Sequence, residues 1–181
     1  MQARTLQLAP VMSAEGTIRR NTAMPCEGNE FLSPHIVRLV DSLRHWTGRD
    51  LVAADLPRGE QARQLFHAPF ALLSHDGALD PLLNYGNRTG MRLFELSWSE
   101  LTATPSRLTA AAADRDERAR LLASVAARGF IDDYRGMRVS KSGRRFIIEN
   151  ATVWNLLDEA GAPCGQAAMF ADWRFLDGAI G

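Results

Sequence analysis

The chain is short of nearly every feature that announces a chemistry. It has two cysteines, Cys26 and Cys164, far apart in the sequence, with no Cys-x-x-Cys pair and no Cys/His spacing suited to zinc. That pattern reads as isolated thiols in a reducing compartment, not as a disulfide or a metal centre. Lys141 is the single lysine among 21 basic residues, and 21 acidic residues cancel them to a formal net charge of zero. No global field steers such a chain to nucleic acid or to an anionic membrane. Its apolar stretches fall far short of the roughly 20 residues that span a bilayer. Gln7 and Pro10 break up the segment after Arg4, so no signal peptide is read, and a cytoplasmic location is expected. Gly-rich phosphate loops, Gly-x-Ser-x-Gly elbows and His-Glu-x-x-His are missing, as are basic zipper regions and cysteine–histidine fingers. What remains is 181 residues, 46% of them hydrophobic, enough for one domain with a full core and no staples.

The organising stretch is Phe130 to Asp172, which reads as a meander of three strands. The runs are Phe130 to Val139, Arg144 to Leu157 and Cys164 to Phe170. They are joined by the turns Ser140-Lys141-Ser142-Gly143 and Asp158-Glu159-Ala160-Gly161. The middle run is apolar at both alternating sets. Strict alternation puts Phe146, Ile148 and Trp154 on one face and Ile147, Ala151 and Val153 on the other, as in a strand buried on both sides.

Upstream, residues 1–30 mix Gln, Pro, Ser, Gly and Asn without a period and read as a flexible arm. Ser33 as N-cap and Pro34 at the first helical position open a helix that Gly48 closes. Ile36, Leu39, Val40, Leu43 and Trp46 form its single apolar face, which either caps the sheet or pairs with a second copy. A shorter helix is expected over Arg58 to His67, then a buried strand from Phe70 to His75 and a return strand over Leu82 to Tyr85. A short helical stretch follows Asn87. Ser97 and Glu100 make a capping box. A longer helix runs from Asp114 to Arg128, with acids in its first turn, an apolar stripe of Leu121, Leu122 and Val125, and Gly129 as its stop. The fold class is therefore α+β: a five-stranded antiparallel sheet with helices on one face and the N-terminal amphipathic helix covering the other.

That order resembles a PAS domain. The likeness is carried by Leu83-Asn84-Tyr85-Gly86-Asn87-Arg88 through Leu96-Ser97-Trp98-Ser99-Glu100-Leu101, and by Trp154-Asn155-Leu156-Leu157-Asp158-Glu159-Ala160-Gly161. More specifically, the chain resembles the MEKHLA domain, a PAS-like family found at the C-terminus of plant class III homeodomain–leucine zipper transcription factors and as stand-alone bacterial proteins. The matching text is His67-Ala68-Pro69-Phe70, Leu73-Ser74-His75, Asn84-Tyr85-Gly86-Asn87, Pro105-Ser106-Arg107-Leu108, Gly129-Phe130-Ile131-Asp132-Asp133-Tyr134, Gly143-Arg144-Arg145-Phe146 and Glu149-Asn150-Ala151-Thr152-Val153-Trp154-Asn155. The resemblance to the bacterial type implies a helical segment over 31–68, the PAS-like domain over 69–175 and a tail over 176–181. It implies a sensory or interaction module without catalysis, holding a small apolar-to-amphipathic ligand between the sheet and the helices from Asn87 to Gly129, or docking a signalling protein. It further implies a homodimer through the Ser33 to Gly48 helix. Members with a covalent flavin place a Cys, and haem members a His, on the long helix. Neither residue occurs between Asp114 and Gly129, so both cofactors are disfavoured.

The candidate ligand contacts fall into two groups. Tyr85, Asn87, Arg88, Arg107 and Asn150 supply polar atoms; Phe94, Trp98, Phe130, Tyr134 and Trp154 supply walls. Each has a plainer reading. Asn84 and Asn87 suit turn bonding and helix capping. Glu149 suits an ion pair with Arg107, Arg138 or Arg145. His67 and His75 lack a third ligand and make no metal site. A rival function is a small acid–base enzyme with Glu149 or His75 as base.

Overall fold

The structure is a computed structural model, and it describes residues 23–176. Most of the expected arm lies outside those residues. Glu27–Leu32, which begins in the arm and ends in the helical segment, is a 3-10 helix that buries Phe31 and Leu32.

Helix α1 spans Ser33–Thr47. Its N-cap position is held by Leu32 in the left-handed region (φ 59), not by Ser33, which is already helical; Pro34 stands in the first turn as expected. The Ser33 hydroxyl instead donates to Glu30 Oε2 at 3.3 Å. Gly48 (φ 70) closes the helix, and its N–H reaches the Arg44 carbonyl at 2.8 Å. Helix α2 is Arg58–His67. Strands β1 (Ala71–Asp76) and β2 (Leu83–Gly86) form the first hairpin. Helices α3 (Arg88–Phe94), α4 (Trp98–Leu101) and α5 (Arg115–Arg128) follow, α4 opened by the Ser97/Glu100 capping box. The meander is β3 (Phe130–Val139), β4 (Arg145–Leu157) and β5 (Pro163–Phe170).

The sheet is antiparallel in the order β2-β1-β5-β4-β3, and among the described residues it has six strands, not five. The sixth, β6 (Asp172–Phe175), continues along the same edge of β4 that β5 occupies, pairing Phe175 with Phe146 and Asp172 with Glu149. Only Ala171 separates it from β5. No Gly- or Pro-bearing turn announces it, so a four-residue run after an expected strand end leaves no signal.

Faces of β4 also depart from strict alternation. Asn150 sits in the left-handed region (φ 52) and breaks the register between Ile148, opposite Gly136, and Ala151, opposite Tyr134. One extra residue flips the pleat. Phe146, Ile148 and Ala151 consequently share a core with Leu73, Phe94 and Phe170, while Trp154 and Leu156 face the opposite core with α1. Phe146 and Trp154 therefore lie on different faces. Asn tolerates this backbone better than most residues.

Two cores result. On one face α1 and α2 lay Ile36, Leu39, Val40, Leu43, Leu65 and Phe66 against Leu72, Trp154 and Ala167. On the other, α3 and α4 bring Leu93, Phe94 and Leu101 to the sheet, and α5 closes the remainder. The α1 face is thus used within the chain: Ile36, Leu39 and Val40 have no exposed surface, Leu43 is buried and Trp46 half-buried. For the expected contact with a second copy, this face offers only the half-buried Trp46. Among the described residues no helix is long and apolar enough to cross a membrane.

Candidate functional site

The α5 face of the sheet contains a cavity of about 60 Å³. Its floor is β1 through Leu73 and His75, β4 through Ile148 and Val153, and β5 through Ala168 and Phe170; Arg118, Leu121 and Leu122 of α5 form the roof. Phe94, Thr109, Arg138 and Gln166 complete the wall. Helix α5 is hydrogen-bonded to the sheet through its C-terminal half. Asn155 Nδ2 donates to the Val125 carbonyl at 3.0 Å, and Gln166 Nε2 donates to the Leu122 carbonyl at 3.0 Å and to Asn155 Oδ1 at 3.0 Å. Val125 is fully buried there. Toward the N-terminus of α5 no comparable clasp occurs among the described residues, and Leu121 and Leu122 are only half-buried.

Three nitrogen-bearing groups enter this apolar space. His75 is 8% exposed; its Nδ1 donates to the Asp76 carbonyl at 2.7 Å, which leaves Nε2 as an acceptor, buried with no partner. Burial lowers the His75 pKa, against the opposing bond to Asp76 and with the help of the Arg118 charge. Arg118 is half-buried, and burial first, then the neighbouring Arg138 cation, pulls its pKa down to about 10. Arg138 is 7% exposed, donates to the Met137 carbonyl at 2.7 Å and lies 5.2 Å from the centre of the Tyr134 ring. Among the described residues neither guanidinium forms an ion pair. No group of three or more His, Cys, Asp and Glu residues among them is placed to hold a metal.

Of the sequence candidates, Phe94 lines the cavity, and Tyr134 stands behind it under Arg138. The others are elsewhere. Tyr85 and Trp154 are buried in the α1-side core, with Trp98 beside them and Phe130 packed against its edge. Trp154 Nε1 donates to the Leu39 carbonyl at 3.2 Å. Tyr85 Oη is buried without a partner, and burial pushes its phenol well above the usual range. Asn87 is a structural knot: its Oδ1 accepts from Leu72 N (3.0 Å) and Gly90 N (2.9 Å), and its Nδ2 donates to the Leu65 and Phe70 carbonyls at 3.1 and 2.8 Å. Arg88 is exposed beside His67. Arg107 pairs with Asp80 at 3.0 Å on the surface. Asn150 is exposed at the bulge and donates to Asp172 Oδ2 at 3.0 Å. Glu149 is outside the cavity too. It pairs with Arg135 at 3.1 Å and lies 3.9 Å from Arg174, and not with Arg107, Arg138 or Arg145. With Glu149 at the surface, His75 is the one member of that pair that reaches the cavity.

Arg118 and Arg138 were readable in retrospect. Arg118 precedes Leu121, Leu122 and Val125 by three, four and seven positions, so a cation sits on the helix's apolar stripe. Arg138 shares its side of β3 with Tyr134 and Gly136, in line with the half-buried set.

A fold of this kind has solved relatives. The PAS domain of a protein from Colwellia psychrerythraea is 14% identical with a TM-score of 0.55, over 65% of this chain and 94% of that one. An RNA-binding light-oxygen-voltage receptor is 21% identical with a TM-score of 0.55, over 66% of this chain and 34% of that one. A light-oxygen-voltage domain studied with a flavin analogue is 14% identical with a TM-score of 0.52, over 65% of this chain and 85% of that one. At such identities the likeness is one of fold. Neither cysteine lines the cavity, so no thiol stands there to form a flavin adduct. No curated protein matches the sequence. The MEKHLA domain model matches residues 33–175, which takes in α1 through β6 together with the cavity, and the chain belongs to the MEKHLA domain family.

Proposed function

We propose that the chain is a sensory or interaction module that takes a small ligand beneath α5 and works by changing how that helix sits, without catalysis. The observation that carries this reading is the cavity itself. A protein interior is ordinarily close-packed, and here the gap coincides with a buried unpartnered His75 Nε2. A buried polar atom without a partner calls for an explanation, and a ligand supplies one. The helix over the cavity is clasped through Asn155 and Gln166 at one end, so occupancy at the other end would tilt it against β4 and β5. A protein partner would read that tilt on the outer surface of α5. A second copy of the chain would have to use a surface other than Ile36, Leu39, Val40 and Leu43.

The test is a titration of the isotope-labelled chain with a diverse set of small neutral, cationic and anionic compounds, followed by amide NMR. Saturable shifts confined to Leu73–His75, Gln166–Phe170 and α5 are expected for some members. A set that leaves those amides unmoved would reject the ligand reading. The acid–base reading retains His75, whose Nδ1 is oriented by the Asp76 carbonyl. Burial and the Arg118 charge make it a weak base, which favours binding over proton abstraction.

A further inference from the structure

Two arginines that face an apolar cavity without an anion pose a question of charge. Burying a cation costs free energy unless it is paired. Arg138 is almost wholly buried, yet its contacts are one carbonyl and one aromatic face; Arg118 has no hydrogen-bond partner among the described residues. The cavity wall around them is Leu73, Leu121, Leu122, Ile148 and Val153. A ligand complementary to this wall has an anionic head and a short apolar body.

We propose that the cavity is a receptor site for a short-chain carboxylate, its head held by Arg118 and Arg138 and its acyl chain lying among Leu121, Leu122, Ile148 and Val153. This rests on the ligand-binding reading above and adds the chemical class. Planar guanidinium groups match a carboxylate through paired N–H donors. Size narrows the class further. At about 10–15 Å³ per water position, a cavity of about 60 Å³ holds roughly four to six positions, the heavy-atom count of acids with about two to four carbons. Asp76, the nearest acid in sequence to His75, does not compete for the cations: its Oδ1 accepts from Ala78 N at 3.2 Å and Leu82 N at 3.1 Å. A carboxylate has no proton to donate, so His75 Nε2 gains its partner from a water carried in with the ligand.

The test uses sodium propionate as the probe, with the labelled full chain at constant ionic strength. Propionamide is the control, since it matches propionate in shape and can donate to His75 but carries no charge for the arginines. Propionate is expected to give saturable shifts at Leu73–His75, Gln166–Phe170 and Arg118–Leu122, with affinity about tenfold or more above that of propionamide. Arg118→Met should lose about tenfold, and Arg118→Lys should recover part of it. Arg118 is half-buried on a helix surface, so both variants should fold, which circular dichroism checks. Equal affinity for propionate and propionamide would overturn the anionic site and leave the ligand reading standing. Inorganic phosphate binding as tightly as propionate would overturn the acyl-chain assignment. No cavity shift with propionate would overturn this proposal alone if the diverse compound set does shift those amides, and the ligand reading as well if that set is also silent.

Discussion

One sheet carries two unlike faces. Against α1 the sheet is filled with large side chains, and its polar atoms are nearly all paired. His35 Nε2 meets Ser74 Oγ at 2.9 Å, and Ser74 donates to Asn84 Oδ1 at 2.6 Å. Ser42 Oγ accepts from Leu157 N at 2.9 Å, and Trp46 Nε1 donates to the Asn155 carbonyl at 2.9 Å. Tyr85 Oη is the exception. Against α5 the same sheet meets a half-buried helix, a cavity and cations without anions. The first face supplies cohesion. The second keeps a gap that cohesion alone would have closed, and that contrast is why the site is placed there.

The contrast is broken most forcefully on the filled face. Trp154 is fully buried, and Trp154→Ala removes both its volume and the bond to the Leu39 carbonyl. A loss of about 3–5 kcal/mol is expected in urea unfolding, with α1 detaching first. A loss under about 1 kcal/mol would mean that the α1 face is as loose as the α5 face.

Acid should act on the filled face next. Burial, then the Arg38 charge, lowers the His35 pKa to about 4. The unfolded chain therefore binds a proton that the folded chain refuses between pH about 6.5 and about 4, and stability is lost as pH falls through that window. The loss is about 3 kcal/mol at full extent. His75 is shifted in the same direction and adds to the slope. His35→Phe can keep the ring stacked on Tyr85, 5.5 Å away in the native pair, and should flatten the acid slope of the unfolding midpoint. An unchanged slope would place the proton uptake elsewhere.

Much of this architecture is legible in the sequence, and the misplaced part has one cause. Helices α1, α2 and α5, the β1-β2 hairpin, the β3-β4-β5 meander and the Ser97 cap follow from periodicity, glycines and capping residues. The cavity falls within the span expected from the PAS resemblance. Its lining does not follow, because aromatic residues are the natural wall of a pocket and equally the natural filling of a core. Trp98, Phe130 and Trp154 went to the filled face. For Trp154 the deciding feature was the left-handed backbone of Asn150, which reverses the pleat and which composition does not announce. Gly129 shows the reverse case. Its φ of 93 and the Trp46 indole lying against it demand glycine, and the helix stop is plain in the sequence although the indole contact is not.

On the α5 face equivalent truncations should cost less. Leu122 is half-buried and already borders empty space, so Leu122→Ala enlarges a cavity that the structure tolerates. A loss of about 1–2 kcal/mol is expected, well below that for Trp154→Ala. A loss as large would mean that α5 is packed as tightly as α1.

The smallest effect is the most discriminating. Arg118 is a partly buried cation with no ion pair, and a second cation, Arg138, is close enough to lower its pKa. If the face existed for cohesion, this guanidinium would be a flaw. Arg118→Met keeps the length of the apolar stem and removes the charge. Stability should stay within about 0.5 kcal/mol of the parent, or rise slightly, because the folded state no longer holds an unpaired cation against apolar surface. A residue whose removal leaves the fold intact and weakens binding is one kept for function at a cost in stability. A loss above about 1.5 kcal/mol in urea unfolding would instead make Arg118 part of the structural core, and the two faces of the sheet would then be more alike than their packing implies.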